Sequence, residues 1–142
     1  MTAHFPKLGT IFAITLIGSV LAMGTAFAVD IKLTLTGEQE VPPVGTPAVG
    51  SGTITVNDNA SMSGSIITTG VKATMAHIHQ APAGKNGPVV IPLEKKSDRE
   101  FAVPAGAKLS EAQYRAFKAG DLYVNVHSDA HKDGEIRAQL KP

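Results

Sequence analysis

The chain contains no cysteine and no tryptophan among its 142 residues. Without a thiol there is no disulfide, no thiolate nucleophile, no cysteine-ligated zinc or iron–sulfur cluster, and no lipid on a cysteine. Aromatic residues are scarce as well. After residue 28 only Phe101, Phe117, Tyr114 and Tyr123 remain, so a core has to be built from Val, Ile, Leu and Ala. Charge of one sign is also lacking. Before residue 29 the one charged side chain is Lys7, and residues 29–142 carry twelve basic and twelve acidic side chains. A neutral domain without a basic run has little to neutralise phosphates with, so neither nucleic acid nor an anionic membrane is expected as a partner. There is no G-x-S-x-G elbow, phosphate-binding loop or H-E-x-x-H helix. Ser128 stands between His127 and Asp129, but sequence neighbours are not a catalytic triad, which is defined by geometry.

One long apolar run is present. Ile11–Met23 follows the positive Lys7 and precedes Thr25-Ala26-Phe27-Ala28, which has small residues at both positions a signal peptidase reads. This pattern predicts a signal peptide over 1–28, with cleavage after Ala28. The run is shorter than the roughly 20 residues a membrane span needs. The expected product is a periplasmic or secreted protein, without stable membrane insertion after cleavage, comprising a single domain over 29–142.

Residues 29–142 hold eleven Gly and eight Pro, a density that punctuates many short elements. Ile31–Thr36 alternates apolar and polar residues, as a strand with one buried face does. Glu38–Gly45 contains Pro42-Pro43 and must leave any ladder. Strands are predicted at Gly52–Asn57 and Ser61–Thr68 about an Asn57–Ala60 turn, then at Ala73–His79, Val89–Leu93 and Phe101–Val103. Pro92 marks an edge, and Glu94–Glu100 reads as an exposed charged stretch. The period changes once. Ser110 followed by Gln113 is a capping box, and Gly120 is a stop, which predicts a helix over 111–119. Alternation returns in Asp121–His127 and Glu135–Leu140. The pattern predicts an all-β antiparallel Greek-key sandwich or barrel with one short inserted helix.

The histidines are clustered. His77 and His79 are two apart on a strand, so both project from one face, while Ala76 and Ile78 take the core face. By the same parity His127 lies off the core, opposite Val124 and Val126. His131 follows in a turn. If the two strands are neighbours, four imidazoles meet. Imidazole suits copper, zinc and nickel, with copper(II) bound most tightly. The predicted metal ligands are therefore His77, His79, His127 and His131, with copper the expected ion and zinc the alternative. Met75 shares the parity of His77 and could add a thioether. Asn125, Asp133, Glu135 and Arg137 are candidate supporting groups, with Gln139 and Asp129 nearby; the carboxylate and amide oxygens among them can accept the free imidazole N–H and fix its tautomer. Surface histidines with only local hydrogen bonds are the plainer alternative.

Leu35-Thr-Gly-Glu-Gln-Glu-Val-Pro-Pro-Val, Ala76-His-Ile-His, Gly84-Lys-Asn-Gly-Pro-Val-Val, and Leu122-Tyr-Val-Asn-Val-His-Ser with Gly134-Glu-Ile-Arg-Ala-Gln-Leu resemble the CHRD domain, named from chordin and widespread in exported bacterial proteins. The resemblance runs from about Ile31 to Leu140 and implies a β-sandwich of immunoglobulin-like appearance, without an established activity. The segment from Asn57 to Met75 is shorter than the family's usual one, and Gln80 replaces the common Gly. The H-x-H strand with later histidines also resembles the copper site of copper/zinc and copper-only superoxide dismutases, although their cysteines and zinc loop are lacking. Three functions stay open at this point. The first is copper binding, delivery or tolerance. The second is a superoxide dismutase-like enzyme with Arg137 guiding the anion. The third is a metal-free structural or adhesive module.

Overall fold

The computed structural model describes residues 1–2 and 27–142. Most of the expected signal peptide therefore lies outside the described residues. Nine strands form one antiparallel sheet: β1 (Ala28–Thr36), β2 (Val49–Asn57), β3 (Met62–Thr69), β4 (Ala73–Gln80), β5 (Val89–Pro92), β6 (Glu94–Lys95), β7 (Glu100–Ala102), β8 (Leu122–Ser128) and β9 (Ile136–Leu140). Their order is β5-β4-β8-β9-β1-β2-β3-β7-β6. The expected all-β class holds, and between sandwich and barrel the sheet is a nearly closed barrel.

Closure depends on one short segment. β5 lies at one end of the sheet and β6 at the other, yet only Leu93 separates them in the chain. The Leu93 N–H donates to the Ala76 carbonyl at 2.9 Å, and Lys95 Nζ donates to the Ala73 carbonyl at 2.8 Å. Both bonds tie the β5–β6 segment to β4. The charged stretch after Leu93 is exposed as expected, and its first two residues also form the strand at that end of the sheet. Bridging the two ends leaves little unpaired edge for another chain to add to.

The interior follows the alternation. Ile31, Leu33 and Leu35 of β1, Ile54 and Val56 of β2, Ala76 and Ile78 of β4, and Leu122, Val124 and Val126 of β8 all point inward. The helix α1 (Glu111–Lys118) has the expected capping box, with Ser110 Oγ accepting from the Gln113 N–H and Gln113 Oε1 accepting from the Ser110 N–H. Phe117 and Leu109 enter the core beside it. No helix among the described residues is long and apolar enough to cross a membrane.

Candidate functional site

β4 and β8 are neighbours, as the histidine argument requires. His77 pairs with Asn125, His79 with Tyr123, and Met75 with His127. The three imidazoles of His77, His79 and His127 lie off the core and converge. One ligand nitrogen from each falls within 4.8 Å of the others. The ring centroids of His77 and His127 are 4.8 Å apart, and those of His77 and His79 are 5.5 Å apart. His131 is not in this group. It sits half-buried in the following turn, where its N–H donates to Ser128 Oγ, and it lines a cleft of about 250 Å³ with Glu40 and Pro42. Met75 is on the same face but stands exposed.

Backbone carbonyls set the tautomers. His79 Nδ1 lies 2.9 Å from the Gly87 oxygen, and His127 Nδ1 lies 2.8 Å from the Lys132 oxygen. A carbonyl only accepts, so both Nδ1 atoms carry the proton and both Nε2 atoms keep a lone pair. The His127 Nε2 lone pair meets His77 Nδ1 at 3.0 Å. His79 Nε2 is buried without a hydrogen-bond partner. This is the arrangement that orients imidazoles toward an ion. The predicted carboxylate partners do not take that part. Asp129 and Asp133 are exposed, and Asp133 contributes its carbonyl, which accepts from Asn125 Nδ2 at 3.4 Å. Glu135 accepts from Thr46 Oγ1 and Ser128 Oγ instead. Carbonyls can do the work because the loops supplying them are pinned against the sheet.

That pinning corrects the expectation of a surface site. His79 and His127 are only 8% and 7% exposed, and every residue of β8 is buried on both faces. Two irregular segments cover the outer face. From the loop after β4, the Pro82 carbonyl and Asn86 Oδ1 accept from the Arg137 guanidinium, the Ala81 carbonyl accepts from Gln139 Nε2, and the Gly87 N–H donates to the Tyr123 hydroxyl. From the segment after β1, Thr46 reaches Glu135, and the Val41 carbonyl accepts from Asn86 Nδ2 at 2.6 Å, which ties the two segments together. Arg137 is stacked 3.4 Å over the Tyr123 ring, and Tyr123 stacks on His79 with centroids 4.9 Å apart.

Burial keeps the His77 and His79 imidazoles neutral. Burial first, then the neighbouring His127 and His79, hold His77 down from 6.5 to about 4. His79 is also lowered, again mainly by burial, although the Gly87 carbonyl works in the opposite direction. Neutral imidazole is the metal-binding form, so these rings stay competent in mild acid. The sequence reading missed Glu40, which is 5% exposed and carries an unpartnered Oε1. Burial raises it from 4.5 to about 7, against the pull of Arg137 and Asn125. An acid two residues before Pro42-Pro43 is its one signal in the sequence.

The CHRD domain family model matches residues 31–140. The chain belongs to the CHRD domain family. No curated protein and no solved structure gives a significant match. The match covers every element of this CHRD domain that builds the histidine cluster, from Glu40 and the cover segments to β4, β8 and β9.

Proposed function

We propose that this CHRD-domain protein is exported and binds a metal ion, copper above all, through His77, His79 and His127, and that it serves copper binding, delivery or tolerance. The observation that carries this reading is the convergence of three nitrogens within 4.8 Å, two of them with the remote ring nitrogen fixed on a backbone carbonyl. Ligands on paired strands lose little freedom on binding, so the site is largely preformed. An all-nitrogen histidine set without thiolate favours copper(II) or zinc, and copper(II) ranks higher in intrinsic affinity. The N-terminal pattern supports export.

Binding is favoured over superoxide turnover by the state of Arg137. A guanidinium that guides an anion has to reach solvent, whereas this one is 1% exposed and bonded to Asn86, Pro82 and Gln139. The test is metal analysis and intact mass of protein recovered from the periplasm or medium, then titration with copper(II), copper(I) and zinc(II). The expected N-terminus is Val29. Copper at 100 times its dissociation constant should add roughly 2.7 kcal/mol of stability. His77→Ala and His127→Ala should abolish the shift in melting temperature, and His131→Ala should keep most of it. If His77→Ala and His127→Ala retain the wild-type copper shift, the site is wrong. A protein free of metal that binds none is a structural module.

A further inference from the structure

The histidine cluster has a fourth wall, formed by Asn125. In β8 it lies directly between His77 of β4 and Arg137 of β9. Strand alternation places its side chain on the face that carries His127, two residues on. It is 2% exposed.

The two ends of its amide have different surroundings. Nδ2 faces acceptors. It donates to the Asp133 carbonyl at 3.4 Å, and it shares the space above Gly134 with Glu40 Oε1, since a Cβ at Gly134 would lie 2.6 Å from each. Turning the amide over would set its oxygen against both of these acceptors, so the orientation is fixed. Oδ1 consequently points away from them, and it has no hydrogen-bond partner. On that face His79, paired with Tyr123, is the diagonal cross-strand neighbour of Asn125, so the oxygen and the His79 ring share the same space. His79 Nε2 is itself a lone-pair atom without a partner.

Two buried acceptors set side by side without a donor are unfavourable, because each has given up water for nothing. A cation between them removes the conflict. We propose that Asn125 Oδ1 is the fourth donor to the ion held by His77, His79 and His127. The proposal rests on the three-histidine reading and adds the donor that decides metal preference. Three neutral imidazoles and a neutral carbonyl oxygen make a borderline-to-hard set, which selects copper(II) or zinc(II) over the softer copper(I). Glu40 and the Asp133 carbonyl are then positioning groups that act through the amide.

The test compares the full-length exported protein with Asn125→Leu, which removes the donor at similar size, and Asn125→Asp, which keeps an oxygen. Copper(II) and copper(I) affinities are measured by competition with chromogenic chelators, and the copper(II) protein is examined by electron paramagnetic resonance. Asn125→Leu should weaken copper(II) binding by about 100-fold or more, at or beyond the upper end of what losing a merely supporting group costs. Its copper(I) affinity should change far less. Asn125→Asp should bind copper(II) at least as tightly as wild type, with an altered hyperfine splitting because a charged oxygen has entered the donor set. Wild-type affinity and spectrum in Asn125→Leu, alongside lost binding in His127→Ala, would overturn the fourth donor and leave the three histidines standing. Failure of the wild type to bind copper(II) or zinc(II) would overturn both. If Asn125→Leu does not fold, an Asn125→Asp spectrum identical to wild type overturns the proposal by itself.

Discussion

Replacing Glu40 by Gln should change how the stability of the metal-free protein depends on pH. Glu40 is buried in the cover segment after β1, and burial raises its carboxyl from 4.5 to about 7, outweighing the nearby Arg137 charge and the Asn125 amide. Between those two values the native state holds a proton that the unfolded chain has released. Stability from this group is therefore fully present below pH 4.5 and is lost as pH rises to about 7. At about 1.4 kcal/mol per pH unit the whole loss is about 3 kcal/mol. That is a large part of the 5–15 kcal/mol typical of a domain. Gln matches the neutral carboxylic acid in shape and cannot ionise. At pH 4.5 the two proteins should be close in stability, and by pH 8 the Gln variant should be ahead by about 3 kcal/mol. His77 works in the opposite sense. Its depressed value means that stability is lost as pH falls from 6.5 towards 4. That contribution is common to both proteins and drops out of their difference. The assay is urea unfolding in a chelating buffer at half-unit steps from pH 4.5 to 8. A difference between the two proteins that stays constant across this range would refute the buried, raised carboxyl and the closed outer face on which it depends.

Three further outcomes are expected. Gly134→Ala places a methyl 2.6 Å from both Asn125 Nδ2 and Glu40 Oε1 at a φ of +132°, so it should destabilise by roughly 2–3 kcal/mol. Gly84→Ala, at φ +78° with nothing within 4 Å, should lose only about 1 kcal/mol in the same urea titration. Ser110→Ala removes the side-chain half of the capping box and should cost about 1 kcal/mol, seen as a fall of about 4–8 °C in melting temperature.

Much of this protein is written into local pattern. Strand alternation in Ile31–Thr36, Ala73–His79 and Leu122–His127 separates core residues from site residues, because a period of two fixes which face each side chain takes. It places His77, His79 and His127 off the core before any contact is known. The capping box at Ser110 is equally local, since its hydrogen bonds span three residues. What local pattern leaves open is where irregular chain travels. Parity cannot say that the outer face is roofed, and so Arg137, Tyr123 and Asn125 read as exposed although they are buried. It cannot show that a turn carries His131 away from the other three imidazoles. It reads Glu94–Lys95 only as exposed and charged, and joining the sheet's two ends makes those residues a strand. Carbonyls are invisible to residue type, because every residue has one. Only tertiary structure decides that Gly87 and Lys132 present theirs to His79 and His127, and that Glu40, far earlier in the chain than Asn125 and Gly134, closes over Asn125. The residue types and their period determine which side chains are available for chemistry. Packing the cover segments onto the sheet decides which of them lose water, fix a tautomer and meet.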